Sequence, residues 1–188
     1  EMDKAGLASA GAETVGDVVA CPGTDTCGLG ITNSKGMGRV LTQLFENQGQ
    51  TSGSASDWPG CGGIGGTPAP HGPPQMIDGL AEDFKGLNIK VSGCPNSCAQ
   101  HHIASIGFHG MAHKIDGHIV PAYQLHLGGR IDQKGVTFGH RMSLRFPAKR
   151  VPELVKYLLT LYREQRTEGE SFFSFVDRIG RAKFQEIL

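Results

Sequence analysis

The amino-acid sequence predicts an α+β fold in which a mixed β-sheet is flanked by helices. Short apolar or alternating stretches predict strands, and apolar residues at three- and four-residue steps predict helices. At 188 residues the chain is long enough to bury the core of one domain. We therefore expect a single domain over residues 1–188.

Four segments predict strands, in the order 14–20, 87–92, 103–108 and 123–127. Gly128-Gly129 predicts a turn after the last of them. Between the first two, Asn33 or Ser34 can cap a helix. That helix would bury the apolar positions Met37, Val40, Leu41, Leu44 and Phe45.

The C-terminal segment, about 150–188, predicts further helices. Pro152 stands where a first-turn proline is tolerated. One helix face then carries Leu154, Val155, Leu158, Leu159 and Tyr162. A last helix over roughly 171–179 carries several aromatic residues, which we interpret as core packing.

The stretch at about 48–78 differs from the rest of the sequence, because it is rich in Gly, Pro and Ser and has no apolar periodicity. Such composition predicts a loop insertion without regular structure. It contains Trp58 and a fifth cysteine, Cys61, which we interpret as a free thiol.

Bulk properties exclude several classes of protein. The 18 basic and 18 acidic residues balance, so net charge indicates no nucleic-acid partner. No apolar run is long enough for a membrane span, and the N-terminal residues do not resemble a signal peptide. Five cysteines without secretion signals favour metal or redox use in a reducing compartment over a disulfide scaffold. We expect a cytoplasmic location, or the plastid stroma in a eukaryote.

Two cysteine pairs carry the chemistry of the sequence. The first is Cys21-Pro-Gly-Thr-Asp-Thr-Cys27 and the second is Cys94-Pro-Asn-Ser-Cys98, each after a predicted strand. Four thiolates on two loops can surround a [4Fe–4S] cluster. A zinc site is the alternative, although structural zinc sites usually use closer cysteine spacings.

These loops resemble the signature loops of the sirohaem-dependent nitrite and sulfite reductases. The second loop resembles them through Ser92-Gly93 before Cys94 and Ala99-Gln100-His101-His102 after Cys98, and the resemblance continues at 122–129 and 147–155. It implies that Cys21, Cys27, Cys94 and Cys98 hold a [4Fe–4S] cluster and that Cys98 also bridges to the sirohaem iron. It also implies a ferredoxin or flavoprotein electron donor and a small oxyanion substrate, nitrite or sulfite.

The resemblance is to the cluster-bearing C-terminal half of these enzymes. It therefore implies a missing N-terminal half or a second subunit, which would supply most of the basic residues that bind the substrate anion. Two other interpretations remain open. The chain can be an Fe–S electron relay or carrier without its own catalysis, or a relative of a cobalamin-pathway oxygenase.

Sirohaem carries many carboxylates, so the resemblance also implies polar groups beside the second loop. Our cofactor-binding candidates are Asn96, Gln100 and His101, and the more distant cations are Arg141, Lys149 and Arg150. In an extended strand His101 and the adjacent His102 would point to opposite sides. The histidines at 109, 113, 118, 126 and 140 have no ligand spacing and are interpreted as ordinary surface or core residues.

Overall fold

The structure is a computed structural model that describes residues 14–45, 84–133 and 135–188. The predicted insertion at 48–78, with Trp58 and Cys61, lies outside the described residues. The boundaries of the predicted single domain over 1–188 therefore stay a prediction.

The main sheet has five strands in the order β1-β2-β3-β4-β7. Its strands are β1 (Val19–Ala20), β2 (Ile89–Ser92), β3 (Ile106–Ile115), β4 (His118–Leu127) and β7 (His140–Pro147). β1, β2 and β3 are parallel, whereas β3, β4 and β7 are antiparallel. The sheet is therefore mixed, as the sequence predicts.

A second, two-stranded sheet connects β4 to β7. It pairs β5 (Arg130–Asp132) with β6 (Gly135–Thr137) in antiparallel register. The predicted turn at Gly128-Gly129 precedes it, and Gly128 has a φ of 76°, a conformation that favours glycine.

Four α-helices accompany the sheet in the described part of the chain. They are α1 (Ser34–Gln43), α2 (Val151–Gln165), α3 (Phe172–Ile179) and α4 (Arg181–Ile187). Asn33 caps α1 by accepting a 2.7 Å hydrogen bond from the backbone N–H of Gly36. Ser171 caps α3 in the same way, from the N–H of Ser174 at 3.2 Å.

One hydrophobic core joins these elements. It contains residues from α1, β2, β3, β4 and the C-terminal helices, among them Leu41, Ile89, Phe108, Leu125 and Phe175, which are all fully buried. The interpretation of the 171–179 aromatics as core packing is confirmed for Phe172 and Phe175. Among the described helices, none combines the length and the apolar character that crossing a membrane requires.

The α+β prediction is confirmed, with three differences in its elements. The strand predicted over 14–20 is reduced to Val19–Ala20, because residues 14–17 form a turn closed by an Asp17 N–H to Thr14 carbonyl bond of 3.0 Å. The strand predicted from residue 103 begins at Ile106, after a 3₁₀ turn at His101–Ile103. The strands β5, β6 and β7, and α4 as a helix separate from α3, were not predicted from the sequence.

Candidate metal centre

The parallel pairing of β1 and β2 brings the two cysteine loops to the same edge of the sheet. Ala20 pairs with Val91, so Cys21 emerges beside Ser92 and Gly93. The Cys21 N–H continues the ladder by donating to the Val91 carbonyl at 3.1 Å. Both loops leave the carboxyl ends of neighbouring parallel strands, and their cysteines therefore face a common region.

Glycines allow the two loops to touch through their backbones. A Cβ added to Gly93 would lie 2.7 Å from the Gly23 Cα and 2.9 Å from the Thr32 carbonyl oxygen. The N–H groups of Ile31 and Thr32 both donate to the Gly93 carbonyl, at 2.9 and 3.0 Å. Any side chain at position 93 would force the cysteine loops apart.

The sulfur of Cys21 lies in a set of hydrogen-bond donors. The Gly93 N–H donates to Cys21 Sγ at 3.1 Å, and Ser34 Oγ lies 3.2 Å from the same sulfur. Burial by itself would raise the pKa of the Cys21 thiol. The hydrogen bonds from Ser34, Gly93 and Gly23 together have the larger effect, so that pKa is lowered from its usual value. The site therefore favours the thiolate, the form that binds metals.

The four loop cysteines differ in exposure. Cys94 is buried, Cys21 is half-buried, and Cys27 and Cys98 are exposed. Next to Cys27, the side chain of Leu29 is 69% exposed. Four free thiols on touching loops, one of them with hydrogen-bond donors beside its sulfur, fit the soft anionic ligand set of an iron–sulfur cluster.

A tight turn shapes the second loop. Ser97 and Gln100 have φ values of 62° and 59°, in the left-handed region. The Ala99 N–H donates to Ser92 Oγ at 3.3 Å, which ties the loop back to the end of β2. These bonds hold Cys98 on the outer side of the loop.

The three predicted cofactor-binding residues occupy different environments. Asn96 is exposed in the second loop. Gln100 is also exposed, and its Oε1 accepts from Lys90 Nζ at 3.1 Å. His101 is fully buried, with its Nδ1 2.9 Å from Ser92 Oγ. Their contact with a sirohaem stays a prediction.

Two of the three more distant cations have side-chain partners of their own. Arg150 forms an exposed ion pair with Glu153 at 2.7 Å, and Lys149 lies beside it in a 3₁₀ turn. Arg141, on β7, approaches Gln124 Oε1 at 3.5 Å.

The structure shows two features of the histidines beyond the sequence-based interpretation. His101 and His102 lie in a 3₁₀ turn rather than a strand, so their rings stack 4.0 Å apart instead of pointing to opposite sides. His109 and His126 are buried together, with His109 Nδ1 3.0 Å from His126 Nε2. The sequence signal that could have predicted the contact between His109 and His126 is the Asp116-Gly117 dipeptide. Asp-Gly predicts a hairpin and hence the pairing of β3 with β4.

Comparisons with known proteins agree with this geometry. The model of the "Nitrite and sulphite reductase 4Fe-4S domain" family matches residues 85–188, a range that contains Cys94 and Cys98. The chain belongs to this family. Cys21 and Cys27 lie outside the matched range.

Similar proteins carry the names of reductases. An assimilatory ferredoxin-dependent nitrite reductase of Haloferax mediterranei is 28% identical over 163 residues, which is 86% of this chain and 22% of that protein. A sulfite reductase [ferredoxin] of Mycolicibacterium paratuberculosis is 27% identical over 179 residues, 94% of this chain and 27% of that protein. The chain thus spans about a quarter of the length of these relatives.

A solved structure supports the fold. The NirA protein of Mycobacterium tuberculosis superposes with a TM-score of 0.61 at 22% sequence identity, covering 89% of this chain and 26% of that one.

Proposed function

We propose that the chain supplies the cluster-binding part of a sirohaem-dependent reductase that converts nitrite to ammonia or sulfite to sulfide. In this proposal Cys21, Cys27, Cys94 and Cys98 hold a [4Fe–4S] cluster, and the Cys98 thiolate also bridges to the sirohaem iron. The observation that carries it is the meeting of two cysteine loops at the ends of parallel strands, in backbone contact through Gly23 and Gly93.

When bound, a sirohaem coupled to a [4Fe–4S] cluster supplies an iron site for the oxyanion and single-electron delivery for a multi-electron reduction. The chain's own residues prepare the ligands. The Gly93 N–H and the Ser34 hydroxyl stabilise charge on the Cys21 sulfur. Hydrogen bonds of this kind also raise the reduction potential of a cluster by stabilising the added electron.

The exposed position of Cys98 supports its assignment as the bridging ligand. It lies in a loop fixed by the Ala99 to Ser92 bond, so its sulfur can reach a group outside the chain without rearrangement of the sheet. The same edge exposes Asn96 and Gln100, which are our candidates for hydrogen bonds to the sirohaem carboxylates.

The partners follow from the names of the relatives and from the length of the chain. Ferredoxin appears in the names of both reductases compared above, so we propose a ferredoxin donor, with a flavoprotein as the alternative. Because the chain spans about a quarter of these relatives, we propose that a further polypeptide segment or subunit supplies the cationic substrate-binding groups. A reducing compartment, the cytoplasm or a plastid stroma, suits free cysteines.

An Fe–S electron relay is the second candidate function, and the exposure of Cys27 favours it as a route for electrons to leave the cluster without a haem. It shares the cysteine ligands and differs in lacking the sirohaem bridge. The presence or absence of magnetic coupling between haem and cluster in the holoprotein therefore separates the two functions.

Cys98→Ser tests the bridge. In the holoprotein we expect the variant to lose the magnetic coupling between haem and cluster, or to lose the cluster, because a serine oxygen is a poor ligand for iron–sulfur sites. Electron paramagnetic resonance and iron analysis measure both effects. The matched control is Cys61→Ser, which should keep the iron content and the coupling. Coupling that persists unchanged in Cys98→Ser would remove the bridging assignment.

A further inference from the structure

Three buried histidines form a second group of potential metal ligands, which we call the histidine cluster: His101, His109 and His126. Each offers one ring nitrogen, and these three nitrogens all lie within 4.8 Å of one another. The relative exposures of the three side chains are 0%, 7% and 3%. The cysteines that we assign to the iron–sulfur cluster are not members of this group.

The β3–β4 hairpin builds two sides of the cluster. His109 pairs with Gln124 and Gly107 pairs with His126, so the two histidines are diagonal neighbours on one face of the sheet. Their ring centroids are 5.1 Å apart.

The 3₁₀ turn at His101–Ile103 builds the third side, because it packs directly on β3. A Cβ at Gly107 would collide with the backbone of His101, so glycine at this position lets the turn approach the strand. The His101 ring then lies 4.9 Å from the rings of both His109 and His126.

His109 Nδ1 and His126 Nε2 contact each other at 3.0 Å, and two further ring nitrogens of the cluster have no hydrogen-bond partner. Ser92 Oγ occupies His101 Nδ1 at 2.9 Å, which fixes the ring, while His101 Nε2 is buried without a hydrogen-bond partner. His126 Nδ1 is also buried without a partner. Buried polar atoms normally have partners, so two orphaned nitrogens in one cluster indicate a missing ligand.

We propose that the histidine cluster binds one divalent first-row transition-metal ion of the Zn²⁺ class, separate from the iron–sulfur cluster. Three imidazoles with one open position form a known type of zinc site, and imidazole suits Zn²⁺, Cu²⁺, Fe²⁺ and Ni²⁺. The Ser92 hydroxyl acts on the far nitrogen of His101, as groups outside a metal's ligand shell usually do.

Electrostatics are consistent with this site. Burial, together with the neighbouring imidazoles, lowers the pKa of His101 and of His126 to about 3, so both are neutral and need not release a proton to bind metal. Burial, Arg141 and His102 lower the pKa of His109 to about 4. The positive charge of Arg141, on β7, also acts on His126. This charge opposes binding of a cation, so the site needs an anionic fourth ligand, such as hydroxide, to offset the charge of the ion.

The test uses cluster-loaded chain, in which iron occupies the cysteines, dialysed anaerobically against micromolar Zn²⁺. We expect about one bound zinc per chain, and zinc-edge X-ray absorption should give nitrogen ligands at about 2.0–2.1 Å. His126→Gln should reduce bound zinc at least tenfold. His118→Gln, on the same strand but exposed, is the matched control and should bind zinc like the wild type.

A second readout does not depend on metal counting. Zinc should raise the thermal midpoint of the wild type and of His118→Gln, and should leave that of His126→Gln unchanged. If His126→Gln fails to fold, His109→Gln replaces it, with His113→Gln as its control. The X-ray absorption spectrum of the wild type is a test that needs no variant. Equal zinc binding by wild type and His126→Gln, or sulfur ligands at about 2.3 Å, would overturn the proposal. The [4Fe–4S] assignment is tested separately, by iron and acid-labile sulfide in the same samples, so failure of the zinc proposal and failure of the cluster assignment are distinguishable.

Discussion

At the residue scale, the absence of a side chain at position 93 decides whether the cysteine loops can meet. The Gly93 carbonyl accepts two N–H groups of the first loop, and the Gly93 N–H donates to the Cys21 sulfur. One residue thus contacts a proposed ligand and also joins the loops. The pairs Cys21/Cys27 and Cys94/Cys98 depend on it for their relative position.

Gly93→Ala should therefore lower the iron content of the chain severalfold. Its Cβ would meet the backbone of Gly23 at 2.7 Å, and backbone atoms cannot move aside as a flexible side chain can. Iron and acid-labile sulfide per chain measure the effect. The control is Gly28→Ala, in the first cysteine loop, whose Cβ would meet no atom within 4 Å and should leave the iron content near that of the wild type. Equal iron in both variants would contradict the contact described here.

At the element scale, Glu170 ties the loop after α2 to the last turn of α3. Its carboxylate accepts two bonds from Arg178, at 2.7 and 2.8 Å, and one from the Thr167 N–H at 3.0 Å. The Arg178 hydrogen bonds, opposed by burial, lower the pKa of the Glu170 carboxyl to about 2 from its usual 4.5. Because the pKa of this carboxyl is lower in the folded state than in the unfolded state, ionised Glu170 stabilises the fold at pH values above the unfolded-state pKa.

Glu170→Gln should consequently be less stable than the wild type at pH 7. The difference should shrink as the pH falls from about 4.5 towards 2, because protonation of Glu170 then removes the same interaction from the wild type. Urea unfolding at pH 7, 4 and 3 measures the difference. The exposed Glu168, changed to Gln, is the control and should show no comparable pH-dependent loss. A difference that stays constant across this range would contradict the assignment.

The elements that the sequence predicted correctly are those with a local signal. The helix after Asn33 has a capping side chain and apolar periodicity, and β2 alternates before Cys94. The cysteine loops were predicted to converge from their position after two strands and from their resemblance to a family. All of these signals lie in short stretches of consecutive residues.

Two of the features that were missed are β7 and the pairing of two histidines. β7 has a local signal, because polar residues alternate with Met142, Leu144 and Phe146, but that alternation was not used to predict a strand. Its pairing with β4 adds tertiary contacts, in which Gln124 Nε2 donates to the carbonyls of Met142 and Leu144. The burial of His109 and His126 follows from the register of β3 with β4, which the Asp116-Gly117 turn sets and which the spacing of the two histidines does not show by itself. Alternation alone could not place these two histidines beside His101.

At the scale of the whole molecule, one mixed sheet holds both candidate metal centres. The cysteine loops leave the carboxyl ends of β1 and β2, and the histidine cluster lies on β3, β4 and the turn that follows the second loop. Leu29 and Ile31 expose apolar surface beside Cys27, at 69% and 41%. This exposure supports the proposal that a cofactor or a further segment of a longer reductase covers the cysteine edge.

The central claim is that the four loop cysteines hold a [4Fe–4S] cluster, and iron with acid-labile sulfide in the anaerobically purified chain tests it most directly. The account predicts about four irons and four sulfides per chain, rising to about five irons where sirohaem bands appear in the visible spectrum. A chain that contains zinc on sulfur ligands and no acid-labile sulfide would contradict it.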